Sequence, residues 1–96
     1  MVLFKAIRDK ILIDDGQTIN VDDKAFRKFL TDKLLEEVQE FKEEGEGGFS
    51  AIAELGDIVD VCYRLAKLYG YDLTDVRSNK WNSNGKFETN RVYIKY

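Results

Sequence analysis

Two short acidic patterns carry the chemistry-bearing groups of this chain: Glu36-Glu37-Val38-Gln39-Glu40, and further on Glu54-Leu55-Gly56-Asp57. Each holds an acidic pair at positions i and i+3, a spacing that puts both carboxylates on one face of a helix about one turn apart. Two such helices laid side by side aim Glu37, Glu40, Glu54 and Asp57 at one point between them. Carboxylates held that close repel one another unless a cation stands among them.

Position around each helix argues that these acids are not ordinary surface charge. At about 100° per residue, Glu37 falls about 60° and Glu40 about 120° from Leu34, inside the apolar sector that also holds Leu30, Phe41 and, at its margin, Phe29. On the second pattern Glu54 lies about 40° and Asp57 about 100° from Ile58, among Val61, Leu65 and Leu68. The usual fate of a helical glutamate is solvent. Glu43, Glu44 and Asp60 meet it, projecting to the polar sides of their helices as solubilising charge. Glu36 begins the first pattern but points about 160° away from Leu34.

Burying an ionised carboxylate without compensation costs several kcal/mol, so four on apolar faces require a positive charge. The chain has no histidine and one cysteine, Cys62, which falls on the apolar side of its helix. Histidine-based acid–base or nucleophilic catalysis is thereby excluded, as is a thiolate or imidazole zinc site. With few lysines on the inward faces, the expected compensation is a hard divalent cation. Mg²⁺ fits best, because it accepts carboxylates, keeps waters and recruits phosphate oxygens, and Mn²⁺ is its natural substitute. The ligand spacing of an EF-hand calcium loop is absent, which argues against a purely structural calcium role.

The elements that must position these groups follow from glycine and Asp/Asn/Ser punctuation, since the chain contains no proline. Asp22 or Asp23 can cap a helix that runs to about Glu44, where Gly45, Gly47 and Gly48 end it, with Glu46 in an acidic turn. Phe26, Leu30, Leu34, Val38 and Phe41 recur along it at helical spacing. A second helix opens at Ser50 or the glycines before it and continues through Ala51, Ile58, Val61, Leu65 and Leu68 to Gly70. Asp72 can cap a shorter third helix from Leu73 to about Asn79, followed by a loop over Asn82, Ser83, Asn84 and Gly85. The first stretch, with apolar Val2, Leu3, Phe4 and Ile7 and a stop at Asp14-Asp15-Gly16, reads as a short helix or an extended arm. The last, Arg91 to Tyr96, reads as an extended tail or strand.

Ninety-six residues make a single domain, 1–96, and 44% hydrophobic with 34% charged residues is a globular composition. No apolar run approaches the ~18 residues of a membrane span, and the charged opening lacks a signal-peptide segment, so the expected location is cytoplasmic. A net charge of −3 leaves no global basic footprint for a nucleic acid polymer. The expected fold is all-α: a small bundle of two long antiparallel helices plus shorter ones. Phe26, Phe29, Leu55, Val59 and Ala66 widen the apolar sectors beyond what one helical neighbour covers, so oligomerisation, as homodimer or homotetramer, is expected to complete the bundle.

The pattern E-E-x-x-E, a glycine-rich gap, then E-x-x-D, standing here as Leu34–Phe41 and Ala53–Asp60, resembles the signature of the all-α nucleoside triphosphate pyrophosphohydrolase superfamily, the MazG-like and phosphoribosyl-ATP-pyrophosphohydrolase-like enzymes. The opening Phe4-Lys-Ala-Ile-Arg-Asp-Lys-Ile11 resembles that of their small house-cleaning branch, and together these motifs cover most of the chain. The resemblance implies hydrolysis between the α and β phosphates of a (deoxy)nucleoside triphosphate to monophosphate and pyrophosphate. It implies Mg²⁺ on Glu37, Glu40, Glu54 and Asp57, and catalytic roles for Glu36, Glu37 and Glu40. Lys80, Lys86 and Arg91, with Asn79, resemble the basic segment that meets the phosphates, although Asn84-Gly-Lys-Phe87 departs from the R-G-G-F of the relatives that share the opening. Trp81 is a candidate base-stacking residue, against the commoner role of a lone tryptophan in covering a core edge. The alternative function is a non-catalytic nucleotide-binding or protein-interaction module on the same scaffold.

Overall fold

A computed structural model of the chain describes residues 4–13, 16–45 and 47–96. It is all-helical: α1 spans Asp23–Glu43, α2 Phe49–Leu68 and α3 Leu73–Asn84, with no strand among the described residues. Val2, Leu3, the stop at Asp14-Asp15 and the acidic turn residue Glu46 lie outside them.

The ends of the helices follow local chemistry. At the start of α1 the Asp22 side chain accepts from the Ala25 N–H at 2.8 Å, and Asp23 adds negative charge at the positive end of the helix dipole. Gly48, not Ser50, is the residue that precedes α2, and it supplies no side-chain cap. The far end of α2 is closed by Gly70 at φ +88, which lets the Gly70 N–H reach the Lys67 carbonyl and the Tyr71 N–H the Ala66 carbonyl, both at 2.9 Å. Immediately after, the Asp72 side chain accepts from the Thr74 N–H at 2.9 Å and starts α3.

Two expectations change. α3 continues through Asn82 and Ser83 to Asn84, so those residues are helical and Trp81 lies within the helix, not after it. Polar residues of modest helix propensity do not by themselves stop a helix. The stop waits for Gly85, whose φ of +81 breaks the helical path while its N–H still bonds the Trp81 carbonyl. The first stretch is an extended arm with a turn at Asp9–Lys10, and the last is an extended segment whose Phe87, Val92, Tyr93, Ile94 and Tyr96 are exposed.

α1 packs along α2, and α3 folds back against the end of α2. Leu30, Ala51 and Ala6 of the arm are the buried apolar residues, while Phe26, Leu34, Phe41, Ile58, Val61, Cys62, Leu65 and Leu68 are half-buried. Val38, expected in the core, is 39% exposed because it sits at the rim of the α1 apolar sector. Among the described residues no helix is long and apolar enough to cross a membrane. The polar residue that this thin core buries is Glu37, at 4% exposure.

Candidate metal centre

Glu37 of α1 meets Glu54 and Asp57 of α2, with one carboxylate oxygen from each lying within 4.8 Å of the others. Glu40, one turn beyond Glu37, is near enough for its charge to act on Glu54, but it is not one of the three acids whose oxygens converge. The i, i+3 pair of α2 therefore meets one member, Glu37, of the pair on α1. Glu36 turns aside, half-buried, to accept from Lys5 Nζ of the arm at 3.3 Å.

The electrostatics of the cluster are unbalanced. Glu37 Oε1 takes Lys33 Nζ at 3.1 Å, whereas Glu37 Oε2 and Glu54 Oε2 are buried with no hydrogen-bond partner among the described residues. Native structures rarely leave such oxygens orphaned unless an ion or water belongs there. Glu54 holds its proton up to about pH 7, first because the Glu37 carboxylate stands against it, then through burial and the charges of Glu37 and Glu40. A hard, oxygen-liganded cation of the Mg²⁺ or Mn²⁺ kind fits this donor set and would supply the missing partner to both orphaned oxygens.

Part of the compensation, however, comes from the chain itself, which corrects the expectation that inward cations are too few. Lys33 is partly buried, which opposes its charge, yet the bond to Glu37 and the charges of Glu37, Glu36 and Glu40 raise its pKa above the ordinary lysine value. Arg8 Nη2 donates to Asp57 Oδ1 at 2.6 Å and to Asp60 Oδ2 at 2.9 Å, and these bonds hold the guanidinium charged more firmly still. Asp60 is thus a paired surface acid. Sequence spacing missed Arg8, Lys5 and Lys33, although Lys33 stands four residues before Glu37 and so on the same face.

The expected substrate-contacting residues gather elsewhere. On α3, Trp81 has the Arg77 guanidinium 5.1 Å and the Lys86 ammonium 4.5 Å from its ring centroid, so its ring already serves two cations. Lys86 and Arg91 line an open cavity of about 720 Å³ with Phe87, Thr89 and Tyr93, and no acid of the cluster lines it. Asn79 and Lys80 are exposed on α3. Unforeseen in the sequence is the Tyr63 hydroxyl, which shares a 3.0 Å hydrogen bond with Thr74 and accepts from Arg77 at 2.7 Å. These two bonds, in that order, lower its pKa. The structure brings the acids together and the tail cations together, as two separate groups.

Comparisons with protein-family models, with curated proteins and with solved structures find no match to this chain.

Glu54 makes the stability of the chelated protein depend on pH. Folded, it keeps its proton to about 7; unfolded, it releases it near the ordinary value of 4.5. Between those values the native state binds more protons than the unfolded one, so stability falls as pH rises. Thermal unfolding in EDTA is expected to give a Tm that declines from pH 5 to pH 8 and a flatter profile for Glu54→Gln. A Tm that climbs with pH over that window in the parent but not in the variant would contradict the proton held on Glu54.

Proposed function

We propose that this chain is a Mg²⁺-dependent nucleoside triphosphate pyrophosphohydrolase, producing monophosphate and pyrophosphate from non-standard or surplus (deoxy)nucleotides in the cytoplasm. The observation that carries the proposal is the convergence of Glu37, Glu54 and Asp57 around two buried, partnerless carboxylate oxygens. The resemblance of the E-E-x-x-E and E-x-x-D motifs supports it. Glu37, Glu40, Glu54 and Asp57 hold the cation, which when bound neutralises phosphate charge and lowers the pKa of a coordinated water. Glu36, which the structure pairs with Lys5 to the side of the cluster, would assist by orienting water or through a second metal, a role that draws on the resemblance alone. Phosphate contacts from Lys80, Lys86, Arg91 and Asn79, and stacking of the base on Trp81, draw on the resemblance alone, since Lys86 and Arg91 gather away from the acids and two cations face the Trp81 ring.

In this proposal α1 and α2 run antiparallel, and a second copy completes the bundle as a homodimer, or three further copies as a homotetramer. Support comes from α2, which is apolar on two sides. Ala51, Ile58, Val61 and Leu65 form the buried and half-buried side, while Ile52, Leu55 and Val59 form an exposed stripe at i, i+3 and i+7. Val59, 49% exposed in the stripe, is the place to test it. Sedimentation at micromolar concentration is expected to give a multiple of the chain mass for the parent and the chain mass for Val59→Asp. A monomeric parent would refute the assembly.

The function is tested by pyrophosphate release from a panel of standard and modified nucleoside triphosphates, with Mg²⁺ and with EDTA. Chelation-sensitive release with monophosphate as co-product is expected. The second reading, a non-catalytic nucleotide-binding or protein-interaction module, draws on the separation of the tail cations from the acids. Nucleotide binding without pyrophosphate release from any member of the panel would select it.

A further inference from the structure

The arm crosses both long helices at the edge of the acidic cluster. Phe4 stacks on Phe29 of α1 with ring centroids 6.0 Å apart, Lys5 pairs with Glu36 of α1, Ala6 is buried, and Arg8 reaches α2. Arg8 spends a single nitrogen, Nη2, on both Asp57 and Asp60. Asp57 therefore belongs to two arrangements: it is a member of the oxygen cluster with Glu37 and Glu54, and it is the arm's anchor on α2. The Arg8–Asp57 contact bridges 49 residues of chain and is half-exposed, so water and ions reach it.

We propose that the arm is a cation-responsive latch, in which Arg8 holds Asp57 until a divalent cation takes that carboxylate, so that cation binding and the Arg8–Asp57 contact oppose one another. This rests on the cation reading of the Glu37–Glu54–Asp57 cluster. Its physical basis is competition for one carboxylate: Asp57, bonded through Oδ1 to the guanidinium at 2.6 Å, must leave it or share its charge with a second cation that repels the first. Losing Asp57 leaves Arg8 the more exposed Asp60, and the arm then rests on Phe4, Ala6 and the Lys5–Glu36 pair. Cation binding thus loosens the segment that covers Glu36, the first acid of the E-E-x-x-E motif.

The test uses Mn²⁺ and Mg²⁺ alone, without nucleotide, on the full chain. Mn²⁺ affinity is read by electron paramagnetic resonance, and arm docking by the NMR signal of the Ala6 methyl group. Arg8→Gln is expected to bind Mn²⁺ roughly 2- to 5-fold more tightly than the parent, the range of a partly exposed ion pair. Lys10→Gln, which removes the same charge from the same segment, is expected to leave the affinity unchanged. Mg²⁺ added to the parent is expected to move the Ala6 methyl towards the position it has in Arg8→Gln. Equal affinity in the parent and Arg8→Gln, equal tightening by Lys10→Gln, or an Ala6 signal indifferent to saturating Mg²⁺ would each overturn the latch while leaving the cation site standing. Absence of Mn²⁺ binding in both the parent and Arg8→Gln would overturn the latch together with the cation site.

Discussion

Glu54→Gln is expected to lower pyrophosphate release by roughly 100- to 1000-fold, the loss of about 3–4 kcal/mol of transition-state stabilisation, while the metal-free protein becomes no less stable at pH 8. The two effects have one cause. Glu54 is protonated up to about pH 7 because the Glu37 carboxylate stands against it, because it is partly desolvated and because the charges of Glu37 and Glu40 oppose its own. Glutamine has nearly the shape of the protonated acid, so it satisfies the metal-free protein, but it offers a cation a neutral ligand where an anion is needed. Asp57→Asn is expected to lose activity to a similar extent for a related reason, and in addition to weaken the Arg8 anchor. Kinetics with helicity read by circular dichroism separate this from misfolding. A Glu54→Gln protein that is folded and retains turnover within a few-fold of the parent would remove the acidic cluster from the mechanism.

The spacing of the acids was legible because a helix period is local. Glu37 three residues from Glu40, and Glu54 three residues from Asp57, determine a face whatever the helix packs on. That the two faces meet followed from the apolar residues beside them, and the burial of Glu37 confirms that an acid stands in the contact between α1 and α2. What neutralises the acids was less legible. Lys33 falls about 100° from Leu34, between Glu37 and Glu40, so its pairing was open to the same arithmetic. Arg8 was not, since nothing local ties the arm to a residue 49 positions away. The length of α3 escaped because polar residues of modest propensity do not end a helix before Gly85 and because Arg77 and Lys86 face the Trp81 ring in its final turn, and the Arg77–Tyr63 bond between helices escaped as well.

Lys33→Met is expected to destabilise the metal-free protein strongly and to be rescued in part by Mg²⁺. Lys33 Nζ, 3.1 Å from Glu37 Oε1, is the hydrogen-bond donor to a carboxylate whose other oxygen is buried and orphaned. Removing one partner of a buried pair costs about 3–5 kcal/mol because the remaining charge is left uncompensated. The lysine side chain is 27% exposed, which places the expected loss lower, at roughly 2–3 kcal/mol. For a chain of this size that corresponds to a Tm lower by roughly 10–20 °C in EDTA. A cation at 100 times its dissociation constant returns about 2.7 kcal/mol to any native state that binds it, and more to a variant whose site has lost its own cation and so binds the ion more tightly. The gap between Tm in Mg²⁺ and Tm in EDTA should accordingly be wider for Lys33→Met than for the parent at equal protein concentration. Lys42→Met, an exposed lysine in the last turn of the same helix, is expected to alter stability by less than about 0.5 kcal/mol and to leave that gap unchanged. If Lys33→Met instead matches Lys42→Met in both media, Glu37 has no uncompensated charge to satisfy, and the buried anion on which the cation site depends is lost with it.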